Sequence, residues 1–183
     1  MSASDSQVLL AARSIAVVGL GLNAGLMLSI PALSIPALKA TTSLSAQQRL
    51  TLWSNLYEQG KAVMMKLQPT LTLLLAYASY AAARPVDYLP ANTLTLLSLR
   101  SSSVSGTQPI LGVASALTIS IVGFTGVVIM PLNRRMQKLE REASVASTAQ
   151  ADSLIGQWVR LHAVRIALGT TAFALAVSEL ALA

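Results

Sequence analysis

Residues 154–183 read LIGQWVRLHAVRIALGTTAFALAVSELALA, a run apolar enough to enter a bilayer that nevertheless carries Trp158, His162 and Arg165. Their i, i+4, i+7 spacing puts the three on one face of an α-helix, stacked over about two turns. A charged side chain near the centre of a bilayer costs from about 2.5 kcal/mol upward. Arg165 and the chain's single histidine are therefore expected to face protein or water instead of lipid. Two explanations compete. Arg165 can snorkel to the interface while Trp158 anchors there and His162 bonds to a neighbouring helix. Alternatively, the stripe is one wall of an active site, which explains better why the belt-type residue shares a face with the ionisable pair.

The whole chain supports a membrane setting. It has 183 residues, 54% hydrophobic and only 11% charged, with a mean hydropathy of +0.62, whereas a soluble domain carries about a quarter charged residues. The absence of cysteine excludes disulfides, thiolate nucleophiles and Fe–S clusters. A net charge of +6 could attract nucleic acid, but the basic residues are scattered between the apolar runs. No nucleic-acid partner is expected, and the lipid bilayer is the natural one. The start, MSASDSQVLLAAR, lacks the basic leader of a signal peptide, so the first apolar run is expected to remain as a span.

The expected architecture is an all-α membrane protein, a four-transmembrane-helix bundle in a single domain, with spans at approximately 14–38, 65–84, 110–132 and 155–180. Between Arg13 and Lys39 lie 25 residues, more than the roughly 20 needed to cross. Within them, Gly21 and Gly25 permit close approach of another helix, as readily in a homodimer as inside one chain. Asn23 needs a partner for its amide, either an interhelical hydrogen bond or a polar cavity. Pro31 and Pro36 should kink or end the helix. Ser45 followed by Gln48 has the form of a capping box, predicting a short amphipathic helix from about Ala46 to Gln59 between spans one and two. Its Trp53 and Tyr57 would pack on the bundle or close over a ligand as a lid.

The second run, between Lys66 and Arg84, has 17 residues, at the short limit for a span. The Pro-, Ser-, Thr- and Gly-rich stretch that follows, to about Pro109, reads as loop. Pro131 should break the third span, holding Asn133 where the span meets water, with a solvated helix extension to about Ala149. Nine Lys and Arg residues follow spans one and three (Lys39, Arg49, Lys61, Lys66, Arg134, Arg135, Lys138, Arg141, Arg160), against three opposite (Arg13, Arg84, Arg100). The positive-inside rule thus puts the loops between spans 1 and 2 and between spans 3 and 4 in the cytosol of a multi-pass membrane protein. The endoplasmic reticulum and a bacterial inner membrane both fit this bias.

GLMLSIPALSIPAL, LWSNLYEQGKAVMMKLQPTLTLLLAYASY, GFTGVVIMPLNRRMQKLE and LIGQWVRLHAVRIALG together resemble the DUF1772 family of small integral membrane proteins, which includes the fungal anthrone oxygenases. The specific elements are Pro131-x-Asn133 and Trp158-x-x-x-His162-x-x-Arg165. The resemblance implies a four-span monooxygenase of polyketide secondary metabolism that uses O₂ to oxidise the central methylene of an anthrone, an apolar polycyclic small molecule, to an anthraquinone. Family membership alone does not fix the substrate.

One histidine and no cysteine make poor iron or copper sites within one chain, and no glycine-rich nucleotide fingerprint is present. No cofactor is therefore expected, with O₂ as co-substrate, because a deprotonated anthrone is electron-rich enough to reduce O₂ itself. His162 is the expected base, Arg165 and Asn133 the stabilisers of the enolate oxygen, and Trp158 a stacking surface. Trp53, Tyr57 and Asn23 complete the candidate substrate-binding set. A non-oxidative isomerase or cyclase would use the same acid–base pair, and a non-catalytic scaffold or subunit would use the stripe for helix association.

Overall fold

Prolines shape the long helices without ending them. The computed structural model describes residues 3–83, 94–144 and 147–182, where every regular element is helical and none is a strand. Helix α1 (Ala3–Ser29) passes through a widened π-helical turn, Ile30–Ser34, into α2 (Ile35–Ala40), with the Ile35 N–H reaching back to the Ile30 carbonyl. Likewise α4 (Leu94–Phe124) passes through a second π turn, Thr125–Ile129, into α5 (Met130–Arg141). Pro31 lies in the first π turn with Pro36 just after it, and Pro131 just after the second. A π turn supplies one extra residue of slack, so the missing proline N–H is absorbed locally. Of the kink or end expected at Pro31 and Pro36, the ending does not occur, and the break expected at Pro131 is likewise replaced by a bulge.

Three other boundaries differ from expectation. Ser45 and Gln48 form the capping box, the Ser45 Oγ accepting from the Gln48 N–H at 3.2 Å and Gln48 Oε1 from the Ser45 N–H at 2.9 Å. The helix it starts does not stop near Gln59 but runs on as α3 (Ala46–Ala82), merging the amphipathic segment with the second run. Gly60 alone is too weak a breaker to interrupt a helix anchored on both sides, at about 1 kcal/mol. The stretch read as loop up to Pro109 is helical from Leu94, because propagation from an established helix is cheap even through Ser and Thr; residues 84–93 lie outside the described residues. The extension after Asn133 stops at Arg141, where Ala143 adopts a left-handed φ of 46°. The N–H groups of Ala143 and Ser144 return to the carbonyls of Glu140 and Leu139, a Schellman closure. Chain direction then reverses into α6 (Thr148–Leu182).

Three helical stretches are long and apolar enough to cross a membrane, Gln7–Ala40, Pro109–Arg141 and Thr148–Ala181. Their outward faces present exposed Val18, Leu22, Leu33, Val127 and Val164. Helix α3 is not in the same class, because even its second half is interrupted by Lys66, Gln68, Thr70, Thr72 and Ser79.

The helices form a ring in which α1 and α4 each pack against α3 and α6. Neighbours run antiparallel, as the contacts show. A Cβ at Gly19 would meet Leu71 and one at Gly60 would meet Ile30, pairing α1 with α3. Ser115 Oγ donates to the Thr72 carbonyl, pairing α4 with α3. Arg13 meets Glu179 and Gly21 lies under Phe173, pairing α1 with α6. Gly21 is thus spent on packing inside the chain, while Gly25 faces nothing within 4 Å. Buried positions on α3 (68, 71, 75, 78, 82) and on α1 (9, 13, 16, 20, 23, 27) recur every three or four residues, the seam of a bundle.

Two apolar clusters fill this seam. One contains Leu20, Leu71, Leu75, Leu111 and Ala172; the other contains Leu50, Trp53, Ile129, Leu132, Met136 and Trp158. Between them, in every long helix, the buried residues turn polar: Asn23, Gln68, Thr118, His162 and Arg165. That layer is the part of the fold that bears on function.

Candidate functional site

His162 is held by an oxygen that a proline releases. In a regular α-helix the carbonyl of Met27 accepts the N–H four residues on, and that position is Pro31, which has none. His162 Nε2 lies 2.9 Å from this oxygen, and a carbonyl only accepts, so Nε2 carries the proton. In the neutral ring Nδ1 then holds the lone pair; it is buried and has no hydrogen-bond partner. Gly169 lets α1 come this close, since a Cβ there would collide with the side chain of Met27. Replacing Pro31 with Ala restores an N–H that competes for the same carbonyl. Turnover is expected to fall about tenfold, the worth of one hydrogen bond, with no loss of thermal stability. A kcat within twofold of the parent protein would show that Met27 does not orient the ring.

The stripe read from the sequence does face inward. Trp158 is 3% exposed, His162 2% and Arg165 9%. The His162 ring stacks on Trp158 at 4.6 Å between centroids and 13° between planes, so one face of that indole is already covered. Trp158 meets the edge of Trp53 at 6.0 Å and 81°, and Trp53 stacks on Tyr57 at 5.5 Å and 4°. The four rings make a continuous aromatic column from α3 to α6. Tyr57 is half-buried and donates a weak hydrogen bond to Met130 Sδ at 3.7 Å. Both indole N–H groups are buried without a hydrogen-bond partner.

Arg165 stands one turn beyond His162, within electrostatic range of both His162 and Tyr57. Among the described residues it makes no ion pair, and its Nε has no hydrogen-bond partner. A buried guanidinium without a carboxylate is costly unless something else supplies negative charge. The other buried arginines differ: Arg13 is paired with Glu179 at 3.0 Å and Arg49 with Asp152 at 3.1 Å.

The remaining expected residues divide. Asn23 belongs to the polar layer: it is fully buried, both ends of its amide lack a hydrogen-bond partner, and its Nδ2 lies 3.7 Å from where a Cβ on Gly169 would be. Asn133 is also buried with both amide ends unsatisfied, but it sits between Leu132 and Met136 of the apolar cluster that includes Trp158. It bonds neither His162 nor Arg165. Trp53 and Tyr57 are in place as the start of the ring column, on a helix end tied down rather than free. Arg49 also donates to the Thr41 carbonyl at 3.1 Å, Gln47 to the Glu140 carbonyl, and Thr51 to the Glu140 carboxylate at 3.2 Å.

Sequence reasoning missed Gln68, which looks interfacial beside Lys66; its signal is the seam spacing with Leu71, Leu75 and Ala78. It also missed the backbone of Met27, legible only as the partner position of Pro31. A groove of about 600 Å³ between α3 and α4, lined by Ala76, Ser79, Tyr80 and Gly112, lies away from this layer.

Known proteins share these segments. A family model described as anthrone oxygenase matches residues 53–175, which take in Trp53, Gln68, Asn133, Trp158, His162 and Arg165. The anthrone oxygenase tpcL of Aspergillus fumigatus is 30% identical over 141 residues, 77% of this chain and 75% of that protein. The anthrone oxygenase AgnL2 of Paecilomyces divaricatus is 25% identical over 159 residues, 84% of this chain and 85% of that protein. No solved structure matches. With the family match running through the site and the likeness to whole relatives extending over most of both chains, this chain belongs to the anthrone oxygenase family and is an oxygenase-like enzyme.

Proposed function

We propose that the protein is a membrane-embedded, cofactor-independent oxygenase that converts a polycyclic anthrone and O₂ to an anthraquinone and water. The carrying observation is the buried, uncompensated Arg165 one turn from an imidazole whose open nitrogen is the unprotonated one. His162 Nδ1 takes a proton from the central methylene, and the resulting enolate oxygen supplies the negative charge that Arg165 lacks. The enolate gives one electron to O₂, and the two radicals combine in a C–O bond. The proton returns from Nδ1 to give a hydroperoxide, which loses water across the C–H and O–O bonds to leave the second ketone. Both oxygen atoms are thereby accounted for, one in the quinone and one in water.

Asn133, level with the tryptophans, offers an amide to a substrate oxygen farther from the reacting carbon, and Trp158 stacks on the imidazole that does the chemistry. The apolar half of α3 is the second of four crossings of the bilayer, and the loops after the first and third crossings face the cytosol. A flat apolar substrate reaches this interior from the membrane in which it dissolves.

Purified protein in detergent, given a hydroxylated anthrone, is expected to consume one O₂ per anthraquinone formed. Conversion of the anthrone to a redox-neutral product without O₂ uptake would sink the oxidative chemistry in favour of an isomerase or cyclase. Stoichiometric iron, copper or flavin whose removal abolishes turnover would defeat the cofactor-free steps while leaving the substrate assignment standing.

A further inference from the structure

Helices α1 and α3 pack antiparallel, and Leu20 and Leu71 share one apolar cluster across that seam. Three residues along each helix toward α2 and the start of α3, the next seam positions are Asn23 and Gln68, which the same register sets opposite one another. Both are more than nine-tenths buried, at 0% and 3% exposure. All four polar atoms of the two amides lack a hydrogen-bond partner. Interhelical amides that serve only as glue bond each other; these do not. The same level holds Gly169, which has no side chain, and Met27, whose flexible thioether lies over that glycine.

We propose that Gln68, together with Asn23, is a specificity-determining subsite that receives the phenolic hydroxyl groups of the substrate, so orienting the ring system against His162 and Arg165. The proposal rests on those two residues being the reacting end of the site. A carboxamide offers one acceptor and one donor group, and a phenol both donates and accepts, so a pair of buried amides is satisfied by hydroxyls on an otherwise apolar ring. A ketone oxygen would satisfy only the donors. Unbranched Met27 is the side chain best able to swing from Gly169 and admit the ring. A site built around hydroxyl groups rejects an analogue lacking them, since its polar groups are then left buried and unpaired.

The test compares a hydroxylated anthrone with the parent anthrone lacking hydroxyls, using the full-length protein in detergent. The parent protein is expected to prefer the hydroxylated substrate in kcat/KM. Gln68→Met, close in shape but apolar, is expected to reduce that preference about ten- to a hundredfold, mainly through KM, with the pH profile of kcat unshifted. Gln68→Asn keeps the amide but shortens its reach; it should also lower the preference, and it serves if the Met variant does not fold. Equal losses on both substrates, or a changed melting temperature with an intact preference, would overturn the proposal and leave the amides as structural. Quenching of tryptophan fluorescence by the hydroxylated anthraquinone gives a readout independent of turnover. If neither anthrone is consumed yet the affinity of that anthraquinone still falls in Gln68→Met, the oxygenase reading fails while the hydroxyl subsite stands.

Discussion

His162→Gln is expected to leave a folded, membrane-inserted protein that turns over an anthrone 10² to 10⁴ times more slowly, roughly the worth of a positioned general base. Glutamine is the informative replacement because its amide nitrogen can occupy the place of Nε2 and still donate to the Met27 carbonyl, now 2.9 Å from the imidazole. Helix contact and local polarity are therefore kept. What it cannot reproduce is the lone pair of Nδ1 that accepts a proton. A residue used only to join α1 to α6 would tolerate this change, so Gln activity within about twofold of the parent would show that the imidazole is interhelical glue. His162→Ala adds the complementary loss: it withdraws the Met27 contact as well as the base. It should match Gln in rate but melt at a lower temperature.

Periodicity carried the site further than it carried the boundaries. Trp158, His162 and Arg165 could be grouped from sequence because one helix sets their spacing, and a helix keeps that geometry whatever surrounds it. The capping box at Ser45 was legible for the same reason, being made within four residues. Proline was harder to read, because its lost N–H has several remedies. At Pro31, Pro36 and Pro131 the chain takes up slack in a π turn, and at Pro31 the freed carbonyl became the anchor of a histidine far away in sequence. Gln68 and Asn23 are opposite each other only through the packing of α1 on α3, which no local pattern states. In the sequence Arg13 is only the charge that bounds the first apolar run. Its buried position is set by Glu179 near the other end of the chain, which local reading had no reason to single out.

That ion pair should be the stiffest electrostatic dependence of the fold. Arg13 and Glu179 approach to 3.0 Å with 7% and 0% of their side chains exposed, at the end of the α1–α6 seam remote from the tryptophans. Two charges so placed have each lost their water, and their mutual attraction does little more than offset that loss. Removing one partner is a different matter, for the survivor keeps its desolvation cost without the opposite charge that offset it. Arg13→Met is therefore expected to destabilise the protein by about 3–5 kcal/mol, lowering Tm by roughly 6–20 °C for a chain of this size. Glu179→Leu should do much the same, because it leaves the Arg13 guanidinium without that carboxylate. The double variant Arg13→Met with Glu179→Leu should recover most of the loss, since an apolar pair of similar volume fills the seam without buried charge. Thermal unfolding of all four proteins in one detergent supplies the cycle. Additive losses in the double variant would mean that the two residues act independently. Catalysis should hardly register either change in the refolded fraction, because the polar layer around His162 is separated from this pair by the apolar cluster of Leu20, Leu71 and Ala172.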